Sequence, residues 1–316
     1  MNVILGYAGG IGSAAAKALL NRGEKVTGIV RNIDKAEKYA AYTPGINLVK
    51  GDAFSPESLE GVLSKGVKNL FYCVNVPYPD WEVKVRQMLA IAINTCARHN
   101  VKLIFPGNVY IYGLAKYNPV DEKHPYAAHT KKGRIRIEME QMLKDASEKK
   151  GLVYTITRFP DFYGPFVING FSEKIFTNSL TGKSLLWVGD KKTVTEFIYI
   201  EDAGEAMAVA ALSEKGNNRV FNVPGYGEIT SEAFLNQIVK QGSGTSKLNV
   251  LNSNLVFNIL GMFNKTISEL KEMLYLKRTK LILDGSLYKN TFGSVPARTY
   301  EQGIAETMDW AKRYFK

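Results

Sequence analysis

The first thirty-one residues constrain this chain more than any other stretch. Val3-Ile4-Leu5 is a short apolar run that leads into Gly6-Tyr7-Ala8-Gly9-Gly10-Ile11-Gly12. The small, helix-forming run Ser13–Leu20 follows, and Glu24–Val30 reads as a second strand ending at Arg31. Strand, glycine turn, helix, strand is the βαβ unit that sets a pyrophosphate on a helix N-terminus. Gly6 lets the chain turn at the strand end, and Gly9 lets backbone approach a pyrophosphate with no Cβ in the way. Gly12 lets the helix pack close to the sheet. Gly10 and Ile11 belong to the same turn and are read with it as cofactor-binding. A glycine triplet alone is weak evidence, but here both flanks supply the required context.

Length and composition leave this reading room. A chain of 316 residues can bury a large core as one or two domains. With 45% hydrophobic and 22% charged residues it has an ordinary globular composition. No secretory leader and no membrane-length apolar run is visible, so a cytoplasmic protein is expected. Cys73 and Cys96 lie in apolar contexts without metal-ligand spacing, and His99, His124 and His129 are scattered, so no metal site is expected. The net charge of +11 suits an acidic partner. The basic run Lys131–Arg136 alternates with Glu138 and Glu140, which reads as a solvated helix face rather than a nucleic-acid surface.

Further apolar runs at 47–50, 69–74, 102–105, 154–158 and 219–223 alternate with helical stretches at 58–64, 83–99 and 132–149. That alternation predicts an α/β, Rossmann-type, doubly wound parallel sheet covered on both faces. Beyond Gly225-Tyr226-Gly227 the chain becomes more helical. Residues 230–240 read as one helix. An amphipathic stretch over 254–275, with apolar points at Leu255, Phe257, Leu260, Met262, Phe263 and Ile267, reads as a helix over the cleft. Thr299-x-x-Gln302 is a capping box that opens a final amphipathic helix. The expected division is a dinucleotide-binding domain over 1–165 and 190–225, with 166–189 and 226–316 as a smaller, mostly helical cap.

Several ordered segments resemble the extended, atypical short-chain dehydrogenase/reductases, and among them NAD-dependent epimerase/dehydratase-like proteins. The Gly6, Gly9, Gly12 spacing is the first match. Asn108-Val109-Tyr110-Ile111-Tyr112-Gly113 falls where that family has a serine-containing strand end closing on "VYG". Arg158–Pro165 resembles "RPxNVYGP", Phe197–Ala203 resembles "FIHVDDVA", and Phe221-Asn222-Val223 with Gly225 resembles "YNVGGG". Asn75-Val76-Pro77-Tyr78 with Trp81, and Thr130–Arg136, fit a divergent branch. The resemblance implies Asp52 and Ala53, and Val74, Asn75 and Val76, as cofactor contacts beyond the glycine turn. It also implies a small-molecule substrate, such as a nucleotide sugar, with no nucleic acid or membrane partner, in a monomer or homodimer.

The catalytic half departs from the pattern. The family acts through Ser/Thr, Tyr and Lys, the last two as Y-x-x-x-K on one helix face, with lysine holding the ribose and lowering the tyrosine pKa. Here Thr130 stands four residues after Tyr126, and Asn108 stands at the serine position. Three readings remain open. Tyr126 acts with Lys131 or Lys132 if a non-helical start brings them together. Asn108 and Tyr163 polarise a carbonyl while solvent supplies the proton. Or the chain binds cofactor without chemistry, as an NADP-sensing regulatory protein. The enzyme reading is favoured. At the end of the second strand, where NAD-binding units carry an acid, the chain has Arg31, so NADP is expected, with NAD as the alternative.

Overall fold

The computed structural model describes residues 1–168, 172–263 and 265–315. In chain order the first half runs β1 (Asn2–Leu5), α1 (Gly10–Leu20), β2 (Val26–Val30), α2 (Ile33–Ala40), β3 (Asn47–Lys50), α3 (Pro56–Leu63), β4 (Asn69–Tyr72), α4 (Trp81–Arg98), β5 (Lys102–Asn108), α5 (Lys131–Lys150) and β6 (Tyr154–Phe159). There follow β7 (Asp161–Tyr163), α6 (Ser172–Leu180), β8 (Leu185–Val188), β9 (Val194–Thr195), β10 (Phe197–Tyr199), α7 (Ile200–Leu212) and β11 (Arg219–Asn222). The chain closes with β12 (Ile229–Thr230), α8 (Ser231–Gln241), β13 (Leu248–Leu251), α9 (Asn254–Phe263), α10 (Lys265–Lys271), α11 (Ser286–Phe292) and α12 (Tyr300–Tyr314).

Seven strands form one sheet in the order β3-β2-β1-β4-β5-β6-β11, and every pairing in it is parallel. Central strands β1, β2, β4 and β6 are buried along their whole length, as a parallel sheet covered on both faces requires. One face buries Leu59, Val85, Met88, Leu89, Ile135, Met139 and Leu143 from α3, α4 and α5. The other buries Ala15, Leu19, Ala203, Met207 and Ala211 from α1 and α7. These last two helices touch through small residues; a Cβ on Gly204 would collide with the Ala14 backbone. Strand order reverses between β1 and β4, so the crevice outside their carboxyl ends is the topological switch point where such sheets bind ligands.

A separate aromatic core gathers Phe176, Trp187, Phe197, Phe234, Tyr300 and Trp310 from the segments after β6. The Thr299–Gln302 capping box forms as expected and opens α12. Helix α2 has no counterpart in the sequence reading. Asn32 caps it by accepting from the Lys35 amide at 2.8 Å, and Ile33, Ala36, Tyr39 and Ala40 make its inward face; the helix is only about two turns long, short enough to pass for a loop. Within the stretch 254–275 the helical residues end at Lys271, and a 3-10 turn follows at Leu274–Lys277. Phe257 packs inward, while Leu255 (67%) and Met262 (79%) are exposed; the side chains of Leu260 and Phe263 lie outside the described residues. Among the described residues, no helix is long and apolar enough to cross a membrane.

Candidate active site

The carboxyl end of β1 is built from backbone. Gly6 turns there with φ +86°, and a Cβ would lie 2.8 Å from the Cys73 carbonyl and from Val74 Cγ1. At Gly12 a Cβ would lie 2.5 Å from the Gly6 oxygen. Protein packing alone therefore demands glycine at both positions. Gly9 is different: a Cβ there would meet only the Gly6 oxygen, at 3.6 Å. It is the N-cap of α1, yet it supplies no side-chain cap, and the first turn holds no acidic residue. The leading N–H groups of α1, including those of Gly10 and Ile11, thus face outward with a positive helix end behind them. These features fit an incoming anion such as a dinucleotide pyrophosphate.

The neighbouring strand ends carry the other expected cofactor residues. Arg31, directly after β2, is exposed and has no ion-pair partner among the described residues. After β3, Asp52 is half-buried and accepts from the Phe54 amide at 2.9 Å, while Ala53 is buried. After β4, Val74 abuts Gly6, and Asn75 is exposed. The Val76 carbonyl accepts the Trp81 indole N–H at 2.9 Å, which pins this loop to the start of α4.

At the end of β5 the site is made of side chains. Asn108 is extended (φ −148°, ψ 176°), and its Oδ1 accepts from the Tyr110 amide at 3.2 Å. Among the described residues its Nδ2 meets no partner and remains a free donor. The Tyr110 hydroxyl meets that of Tyr78 at 2.8 Å, and Tyr110 stacks on Trp81 at 6.4 Å between centroids. The guanidinium of Arg136 lies 4.9 Å from the Trp81 ring centroid and 5.6 Å from that of Phe105; its Nε is buried and has no partner among the described residues. Burial pushes the phenols of Tyr110 and Tyr78 up, with the nearby Asp161 carboxylate adding to the effect and Arg136 opposing it. Asp161 itself pairs with Lys277 from the C-terminal part.

The lysines and tyrosines singled out from sequence go elsewhere. The segment before α5 is indeed non-helical, but it carries Tyr126 away from Lys131 and Lys132. The Tyr126 hydroxyl donates to Glu140 Oε2 at 2.7 Å, and accepts from Arg158 Nη2 at 2.7 Å and Lys144 Nζ at 2.9 Å. Burial and then the Glu140 carboxylate raise its pKa, so it stays a protonated structural phenol. Lys131 pairs with Glu82. Lys132 is sealed against Glu269 (2.5 Å) and Glu272 (2.7 Å), with its ammonium 4.8 Å from the Tyr78 ring centroid. Tyr163 is 3% exposed and packs among Tyr199, Phe234 and Tyr300, its hydroxyl against Gly303. It is a wall of the aromatic core and does not join Asn108.

The basic face of α5 also differs from the solvated one expected. Lys132, Arg136 and Glu140 recur every four residues and point inward. Glu140 makes a buried pair with Arg158 at 2.6 Å, both side chains 1% exposed. Burial alone would lower the Arg158 pKa, but Glu140 more than offsets that and raises it. The helix face that would carry tyrosine and lysine in a Y-x-x-x-K pattern therefore carries Lys132 and Arg136. That i,i+4 signal is present in the sequence, but a search for tyrosine before lysine passes over it. Nothing in the local sequence marks Tyr78, Tyr110 or Asp161 as neighbours, because they come from three different strand ends.

The family model for the NAD dependent epimerase/dehydratase family matches residues 2–224. Among curated proteins, the chain is 25% identical to a UDP-N-acetyl-alpha-D-glucosaminuronate decarboxylase of Bacillus cytotoxicus, over 98% of this chain and 96% of that one. It is 26% identical to a putative UDP-glucose 4-epimerase of Methanocaldococcus jannaschii, over 77% of this chain and 83% of that one. Among solved structures, a UDP-glucuronic acid 4-epimerase from Bacillus cereus in complex with NAD superposes with a TM-score of 0.81 at 19% identity, over 100% of both chains. This last likeness speaks to the fold.

Proposed function

The chain belongs to the NAD-dependent epimerase/dehydratase family, and from that membership we propose that it binds a nicotinamide dinucleotide and acts on a nucleotide sugar. The observation that carries the proposal is Gly9. No protein atom requires glycine there, yet it stands at the uncapped start of α1 on the switch point of the sheet. Gly6, Gly9, Gly10, Ile11 and Gly12 would hold the pyrophosphate; Asp52, Ala53, Val74, Asn75 and Val76 line the adenine-side strand ends. The bound nicotinamide supplies hydride chemistry, and Asn108 orients the substrate oxygen through its free amide donor. The relatives named for UDP sugars, matched over most of their length, support the substrate class. The cap division at 166–189 and 226–316 is part of the same proposal and supplies the far wall of the cleft.

Within that reading we favour NADP(H), because Arg31 is exposed and unpaired where a 2′-phosphate would lie. Titration with reduced cofactors tests it. Arg31→Ala is expected to weaken NADPH roughly tenfold, worth about 1.4 kcal/mol, and to leave NADH unchanged. Equal affinities before and after the substitution would return the assignment to NAD.

A second reading rests on the replacement of the tyrosine–lysine face by Lys132 and Arg136. It makes the protein an NADP-binding regulator without turnover. Incubation with UDP-glucose, UDP-glucuronate and dTDP-glucose, followed by separation of the sugar products, distinguishes the two.

A further inference from the structure

We propose that Tyr110, coupled to Tyr78 and held beside Arg136, is the acid–base residue of this site, in place of the tyrosine missing from α5. The inference rests on the functional reading above and adds the group that moves the proton. Three independent placements meet here. Tyr110 follows Asn108 by two residues, so the strand end that presents the amide donor also presents the phenol. Tyr78 comes from the loop after β4, next to the switch point, and its hydroxyl lies 2.8 Å from that of Tyr110. Arg136 comes from α5, lies on the same Trp81 ring that Tyr110 stacks on, and keeps a buried Nε with no partner among the described residues. Tyr78, Tyr110 and Arg136 are each half-buried, so none of the three residues is wholly enclosed in the core.

The charges around the pair are defined. Asp161 faces both phenols, Glu272 faces Tyr78, the Lys132 ammonium sits on the Tyr78 ring, and Arg136 also faces the buried hydroxyl of Tyr72. The resting couple is protonated, because burial outweighs the cation. In the reducing direction a reduced nicotinamide held at the glycine turn would supply hydride to the carbon of a substrate carbonyl and would itself be oxidised. The carbonyl oxygen takes the Tyr110 proton; the carbonyl π bond and the phenolic O–H bond break as C–H and O–H bonds form. Tyr78 then passes its proton across the 2.8 Å contact to the Tyr110 oxygen, and solvent reprotonates Tyr78. Arg136 stabilises the phenolate while the charge lasts. The oxidising direction runs the same path in reverse.

The test reads tyrosinate absorbance of the full-length protein during alkaline titration, with and without oxidised nicotinamide dinucleotide. A cation settling beside a phenol lowers its midpoint by about 1–3 pH units. Addition of the cofactor is therefore expected to lower one tyrosine midpoint by about one unit or more, and Tyr110→Phe is expected to abolish that shift. Tyr78→Phe, which keeps the ring packing, is expected to move the same midpoint, because the phenolate loses its donor. With a nucleotide sugar that turns over, Tyr110→Phe should also slow reduced-nicotinamide formation by about 10²–10⁴-fold. Cofactor binding with a shift that survives Tyr110→Phe, or one lost in Tyr126→Phe, overturns this inference alone. A wild-type protein that binds no dinucleotide overturns the functional reading and this inference together.

Discussion

The carboxyl ends of β1 and β5 lie on one edge of one parallel sheet, two strands apart, yet they are made by different means. At β1 the groups presented are backbone N–H donors, and the residues that shape that end are those that keep out of the way. At β5 they are side chains delivered from four separate segments: Asn108 and Tyr110 from the strand end, Tyr78 from the β4 loop, Arg136 from α5 and Asp161 from β7. A backbone site tolerates almost no change in residue type. A side-chain site can exchange its members, provided another segment supplies the group. This contrast explains how the glycine turn keeps a family spacing while the tyrosine–lysine face does not.

The largest effect that could break the comparison lies beneath the β5 end. Glu140→Ala leaves Arg158 buried without its carboxylate, which should cost about 3–5 kcal/mol in urea unfolding. The same variant frees Tyr126 and should expose the loop around residues 113–130 to protease. A loss below about 1 kcal/mol would mean that the side-chain half is not held by this pair.

A second buried carboxylate sharpens the point by contrast. Among the described residues Glu196 meets no cation, and its oxygens accept the backbone N–H groups of Leu283 (2.7 Å) and Gly225 (3.2 Å). Burial pushes its pKa up to about 8, from an ordinary 4.5, with those two backbone donors acting in the opposite direction. The folded state therefore holds a proton that the unfolded chain has released. This contribution is fully present below pH 4.5 and is lost as pH rises through about 8. Thermal melts should fall across that window, and Glu196→Gln should flatten the slope. A slope unchanged in Glu196→Gln would place the titrating group elsewhere.

The smallest effects are confined to the glycine turn and separate packing from ligand demand. Gly12→Ala drives a Cβ onto the Gly6 carbonyl and should cost about 1–3 kcal/mol. Gly9→Ala makes only an ordinary contact with the Gly6 oxygen, so stability should change by about 0.5 kcal/mol or less while dinucleotide affinity falls. Paired melts and cofactor titrations read both. If Gly9→Ala bound cofactor as tightly as the parent chain, the turn would not be the pyrophosphate site.

How far the sequence could be read follows the same division. The strands at 3–5, 26–30, 102–105 and 154–158 were legible because parallel strands buried on both faces are written as continuous apolar runs. Helix α2 was not: its inward face of Ile33, Ala36, Tyr39 and Ala40 spans only about two turns, short enough to pass for a loop. In the site, Asn108 was legible from its place before Gly113. Arg136 was hidden in a run that looked like surface charge, because composition does not say which side of a helix faces the sheet. Tyr163 looked catalytic by position and is core by contact.

By itself the amino-acid order determined the βαβ start, the alternation that makes a parallel sheet, and the glycine spacing of the turn after β1. All of these are local: they depend on residues within one strand–turn–helix unit and on whether a Cβ is present. Only the tertiary structure decided which phenol stands beside which cation. It carried Tyr126 to Arg158 and Glu140, and Tyr78 and Tyr110 toward Arg136. The physical reason is that a proton-transfer group is defined by distances of a few ångströms between segments far apart in the chain, and the packing of α4 and α5 on the sheet sets those distances.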